Sequence, residues 1–162
     1  MVSCMKHDFA VTVARVDAQW QVRTFADDFR SITTAIQAVR DLRAQEAAFA
    51  LLSVDDDYFV IVRPTPKGVR LLLSDATAAI DDDYAAAILE ELAVEMPDID
   101  SAERDTMEPW AEGDFAILAD LGLSEQVMNV ICDETDWWAS EQLQRIAEEL
   151  GFEEEFNKVV GL

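Results

Sequence analysis

Phe49-Ala50-Leu51-Leu52-Ser53-Val54 and Tyr58-Phe59-Val60-Ile61-Val62 are two apolar runs separated only by Asp55-Asp56-Asp57. Each run is too short for a helix of ordinary length and is rich in residues that fit a pleated surface. Three charged residues between them leave room for a reversal and little else. The pair therefore predicts adjacent strands, Ala48–Val54 and Tyr58–Arg63. A third follows at Val69–Ser74, after the turn signal Pro64-Thr65-Pro66-Lys67-Gly68. These runs are continuous rather than alternating, as in strands covered on both faces. The covering layers must come from elsewhere in the chain or from another subunit.

Upstream, Phe9-Ala10-Val11-Thr12-Val13-Ala14 alternates with period two, and Trp20–Phe25 reads as its return strand across an Asp17-Ala18 turn. Ser31 is a suitable N-cap for an amphipathic helix with Ile32, Ala35, Ile36, Val39 and Leu42 on its apolar face. Downstream, a helix is expected over Tyr84–Ala93. Residues 95–109 are acidic and without periodicity, which predicts a loop or linker. Ser124 and Ser140 are the expected N-caps of two further helices, Gly151 the stop of the second, and Phe152–Val160 a final short helix.

This order predicts an α+β fold: a mostly antiparallel five-stranded sheet with helices, in a profilin-like or longin-like element order, plus acidic C-terminal helices. The expected division is a sheet-and-helix part over 1–94, an acidic linker over 95–109 and a helical part over 110–162, packed on the same sheet.

The charge is unevenly spread. Residues 1–74 hold nine Lys/Arg and nine Asp/Glu; residues 75–162 hold three and twenty-five, which accounts for the formal net charge of −22. Such a surface repels phosphate backbones, so direct nucleic-acid binding is not expected. It favours a basic partner, or serves solubility. No apolar run nears the ~20 residues needed to span a bilayer. The start of the chain lacks the apolar core of a secretion signal, so a cytoplasmic location is expected.

Several patterns resemble chemical sites and fall short of them. Asp55-Asp56-Asp57 reads as a solvated hairpin tip, and Asp81-Asp82-Asp83 as the charged first turn of a helix. Asp98-Ile99-Asp100 opens like a calcium loop, but Glu103 stands where Gly is required and Pro109 where Glu is required. Cys4 and His7 have metal-like spacing, yet with Cys132 they make only three of the four ligands of a structural zinc site. Cys132 reads as a small buried hydrophobe. No Gly-rich phosphate loop or nucleophile elbow occurs. No catalytic, cofactor or metal residues are assigned. The residues chosen as a partner-binding surface are Asp81, Asp82, Asp83, Trp110, Trp137 and Trp138, because aromatic residues ringed by charge make interface anchors.

Three segments carry a family resemblance: Phe29–Leu42, Phe59–Ala79, and Glu112-Gly113-Asp114-Phe115 through Ile131-Cys132-Asp133-Glu134. They resemble the bacterial tRNA adenosine deaminase-associated proteins, from about Phe9 to Phe152. The resemblance implies an association with that deaminase through gene neighbourhood, and no catalytic residues. The deaminase's own zinc signature, H-x-E with P-C-x-x-C, is absent. The leading expectation is a non-catalytic acidic interaction or regulatory module. The alternatives are a carboxylate-based enzyme using a divalent metal, and a homodimeric structural module.

Overall fold

The computed structural model describes residues 8–104 and 106–161. Cys4 and His7 lie outside them. The strands are β1 (Phe9–Val16), β2 (Gln19–Thr24), β3 (Ala48–Val54), β4 (Tyr58–Thr65), β5 (Gly68–Leu73) and β6 (Glu112–Gly113). All pair antiparallel in the order β2-β1-β3-β4-β5-β6. The fold is α+β, as expected, but the sheet has six strands and not five.

The missed strand is two residues long, too short for any periodicity. Its place is set by Gly113, paired with Leu72, at a φ of +128°. A Cβ there would lie 2.4 Å from the Leu71 carbonyl oxygen, so only glycine permits this approach. The next residue, Asp114, donates its N–H to that same oxygen at 2.8 Å.

Strand alternation sorts the apolar residues into two cores. Val11, Phe49, Leu51, Phe59 and Ile61 meet one set of elements; Leu52, Tyr58, Val60, Val62 and Leu73 meet another. The second face is covered by α1 (Ile32–Asp41), a 3₁₀ helix (Ala76–Ile80) and α2 (Asp83–Glu91). After α2 the chain passes a four-residue helix α3 (Ser101–Arg104), inside the segment expected as a loop, and joins the sheet edge as β6. It then crosses to the first face, where α4 (Glu125–Asp133), α5 (Ala139–Leu150) and α6 (Glu153–Val160) pack. The C-terminal helices thus supply the cover that the continuous apolar strands require.

Two arginines of the neutral half fasten this crossing. Arg63 on β4 makes a two-pronged pair with Asp120, at 2.7 and 2.9 Å, and donates to the Ile117 carbonyl at 2.7 Å. Arg70 on β5 pairs with Asp114 and donates to the Ala116 carbonyl at 2.8 Å. The hydrogen bond from Arg63 holds the Asp120 carboxyl below its ordinary pKa. The clamp is therefore in place at neutral pH and loosens as pH falls through that lowered value.

Most helix boundaries follow local rules. Ser31 caps α1 by accepting from the Thr33 N–H at 3.2 Å, and Ser124 caps α4 by accepting from Val127 at 3.2 Å. Gly151 ends α5 in the left-handed conformation. The start of α5 does not follow the expectation. Ser140 is not its N-cap; Trp138 is. An indole carries no acceptor for the exposed N–H groups. Asp56 fills that role from across the fold. Its carboxylate accepts from the Ser140 N–H at 2.7 Å and its carbonyl from the Ala139 N–H at 3.2 Å. Glu141 completes the end by accepting from the Trp138 N–H at 3.0 Å.

Asp56 is consequently buried, contrary to the solvated tip read from the sequence. It lies in a tight turn closed by the Asp57 N–H on the Val54 carbonyl at 3.0 Å, with left-handed φ at both Asp55 and Asp56. Asp and Asn tolerate that conformation better than most residues. Burying Leu143 and Ile146 of α5 stabilises by about 2 kcal/mol each, more than the ~1 kcal/mol typical of a cap. Burial attaches α5 to the sheet; Asp56 fixes where it begins. Asp56→Asn, which keeps both the acceptor and the tolerance of left-handed φ, is expected to cost under about 1 kcal/mol. Asp56→Gly, which keeps only the tolerance, is expected to cost about 2 kcal/mol. Urea unfolding of the two variants checks this.

Candidate functional site

Strand direction places many acids at one end of the sheet. β3 ends there and β4 begins there, joined by Asp55-Asp56-Asp57. β5 also ends there, leading through Asp75 into the 3₁₀ helix and on to Asp81-Asp82-Asp83. β2 ends there in Asp27 and Asp28, and Asp8 precedes β1; an Asp8 carboxylate oxygen accepts from the Asp55 N–H. At the opposite end lie the Asp17-Ala18 turn, with Arg15 and Arg43 beside it, and the Lys67 turn. The first half of the chain is neutral as a sequence, but folding sorts its acids towards one end.

The acidic end is ordered by Arg104, which terminates α3. It is the only Lys or Arg between Arg70 and Arg145. Its guanidinium reaches Asp57 at 2.8 Å, Asp81 at 3.4 Å and Asp75 at 3.6 Å. Asp81 also accepts from the Ser101 hydroxyl at 2.6 Å. Asp100, read as part of a failed calcium loop, caps this turn by accepting from the Glu103 N–H at 2.9 Å. The part of the acidic segment that bears Arg104 is thus tied to the sheet end.

Asp82 is the N-cap of α2. One carboxylate oxygen accepts from the Tyr84 N–H at 2.8 Å and the other from the Tyr58 hydroxyl at 2.9 Å. Burial, then the negative charge of Asp82, pushes the Tyr58 phenol far above its ordinary pKa. Tyr84 is raised by burial and then by Asp27. Asp75 caps the 3₁₀ helix through the Thr77 N–H at 2.9 Å. Burial raises its pKa, and the Thr77 hydrogen bonds and Arg104 partly offset that.

Between these elements lies an open groove of about 800 Å³. Asp55 and Asp57 form one wall, Asp81, Asp82 and Asp83 another, with Phe29, Arg30, Tyr84 and Arg104 completing it. Among the described residues, no group of three or more His, Cys, Asp or Glu side chains is arranged to hold a metal ion. Cys132 is buried, and burial pushes its thiol up to about 12, which keeps it protonated and unreactive.

The aromatic candidates are exposed. Trp138 is 56% exposed, Trp137 38% and Trp110 37%, so none is a core residue. Trp138 immediately precedes Ala139, whose N–H is held by Asp56, which sets Trp138 beside the β3–β4 turn. Trp137 lies along α5, near Glu141, Gln144 and Arg145. Trp110 is tied to the acidic end, its carbonyl accepting from the Ala76 N–H at 2.7 Å. Sequence reading picked out Asp81–Asp83 and the tryptophans. It missed Asp55, Asp57, Tyr84 and Arg104. A lone cation in a long acidic segment was the available signal for Arg104.

Arg104→Met is expected to lower stability by about 1–2 kcal/mol at neutral pH. Asp75 has a raised folded pKa, so its contribution worsens as pH rises through that value. Without Arg104 the penalty grows. The gap between variant and wild type should therefore narrow as pH falls through the Asp75 pKa, which denaturant melts across the acidic range would record.

The chain has known relatives. Residues 8–153 match the family described as Rv3753c-like tRNA adenosine deaminase-associated protein. The chain is 46% identical over 153 residues to Protein Rv3753c of Mycobacterium tuberculosis, spanning 94% of this chain and 87% of that relative. No solved structure matches. The matched region runs from β1 to the start of α6 and includes every element that builds the acidic end. The chain belongs to the Rv3753c-like tRNA adenosine deaminase-associated protein family.

Proposed function

We propose that this protein is a non-catalytic interaction module that docks on a basic protein through the acidic end of its sheet, and that the partner is the tRNA adenosine deaminase of the family's name. The observation that carries this reading is a clustered, Arg104-ordered acidic surface with the exposed Trp110 and Trp138 tied by backbone contacts to the same end of the sheet. Aromatic anchors beside charge supply affinity and steering respectively. A protein that binds tRNA needs positive surface for the phosphates, and an acidic module can occupy such a surface. Residues 1–94 serve as the scaffold, 95–109 as the acidic linker that brings in Arg104, and 110–162 as the part that presents Trp110 and the Trp137-Trp138 pair. Both partners meet in the cytoplasm.

Titrating the protein into the deaminase should give saturable binding at low salt. Screening has a length of about 10 Å at 0.1 M, so affinity should fall on the order of tenfold between low and moderate salt. Trp138→Ala, at a residue that is 56% exposed, should weaken binding by about tenfold or more while changing the melting temperature little. Absence of binding at low salt, or binding indifferent to salt and to Trp138→Ala, would overturn the proposal.

A further inference from the structure

We propose that the groove between the β3–β4 turn and the start of α2 is a receptor for an arginine side chain presented by the partner protein. This deepens the interaction proposal above and rests on it for the identity of the partner. Five aspartates line the groove against two arginines, an excess of three negative charges. Acidity alone would not specify a ligand. Tyr84 does: it lines the groove, is 1% exposed, and its hydroxyl has no hydrogen-bond partner among the described residues. A buried, unpaired hydroxyl is costly and calls for a partner. One carboxylate oxygen of Asp27, whose charge acts on Tyr84, is also buried and without a partner among the described residues. A carboxylate takes only donors, and a phenolic oxygen can accept, so a ligand rich in N–H groups answers both.

The chain itself provides the precedent. Arg104 already sets one guanidinium against Asp57, Asp75 and Asp81 on the groove's flank. A guanidinium offers five donors in a plane, which suits several carboxylates better than a single ammonium does. Phe29, edge-on to Tyr84 with ring centroids 6.3 Å apart, adds an aromatic wall for such a plane. Reaching the Tyr84 hydroxyl requires the Phe29–Arg30 rim to shift. That rim belongs to the irregular segment between β2 and α1, where Phe29 holds a left-handed φ of 56°. The occupant is a protein side chain and not a free cation, because the groove is far larger than a guanidinium and the exposed Trp138 stands beside the same turn.

The probe is a short blocked peptide with two arginines spaced by glycines, with matched lysine and citrulline peptides, followed by amide chemical shifts of the full chain. The arginine peptide should shift Asp57, Asp82, Tyr84 and Phe29 saturably, the lysine peptide should bind severalfold more weakly, and the citrulline peptide should not bind. Tyr84→Phe should reduce arginine-peptide affinity severalfold while raising the melting temperature, since it deletes an unpaired buried hydroxyl. Equal binding by the three peptides, shifts elsewhere, or unchanged affinity in Tyr84→Phe would overturn the proposal. Titrating the deaminase against the same variants separates the two readings. Deaminase binding unaffected by Tyr84→Phe removes the groove and leaves the partner. Arginine-peptide binding without deaminase binding keeps the groove and removes the partner.

Discussion

Helix α5 starts at a tryptophan, which cannot satisfy the N–H groups that every helix leaves open at its beginning. Asp56, 84 residues before Ser140, does so instead. The bond sits in a two-sided position. Its turn joins β3 and β4, the central pair of the sheet, and α5 lies on one face of that sheet. The neighbouring Asp57 faces the other side and holds Arg104. One turn of three aspartates therefore registers the C-terminal helices against the sheet, anchors the acidic segment, and sets the distance between Trp138 and the groove. Burial supplies most of the stabilising free energy, since two apolar cores flank the sheet. Burial is non-directional, however, and positional information has to come from the polar contacts at the end.

The same end concentrates charge. Aspartates that precede or follow strands are brought together because antiparallel strands β1, β2, β3, β4 and β5 all start or finish there. Self-repulsion among them is relieved by the single guanidinium of Arg104 and by hydrogen bonds that use several carboxylates as helix caps. Those caps put the carboxylates to structural use: Asp75, Asp82 and Asp100 each accept from backbone N–H groups, Asp75 from a buried position. The net result is a rigid acidic surface, with carboxylates at fixed spacings.

Much of this fold is written locally in the chain. Ser31 and Ser124 cap the helices that follow them, Gly151 stops α5, and the apolar runs of β3, β4 and β5 announced strands covered on both faces. What was not legible depends on partners distant in sequence. β6 exists because Gly113 allows a close approach to Leu71, a constraint invisible in two residues. Ser140 looked like a cap because the true acceptor is far upstream. Asp55-Asp56-Asp57 looked uniform, yet its three members differ: Asp55 lines the groove, Asp56 is buried as a cap, and Asp57 pairs with Arg104. Of the candidate site, Asp81, Asp82, Asp83 and the exposed tryptophans could be named from residue type. The groove and the unpaired Tyr84 hydroxyl could not, because both arise only when the turn and α2 meet.

The Asp56 contact positions α5 and, through its turn, the acidic end. Amide hydrogen exchange of Ser140 in wild type and in Asp56→Gly tests this most directly. The Ser140 N–H should be strongly protected in wild type and lose that protection in the variant, with faster exchange at Ala139 and Asp57, while amides in the centre of β3 keep their protection. Equal Ser140 exchange in the two proteins would contradict it.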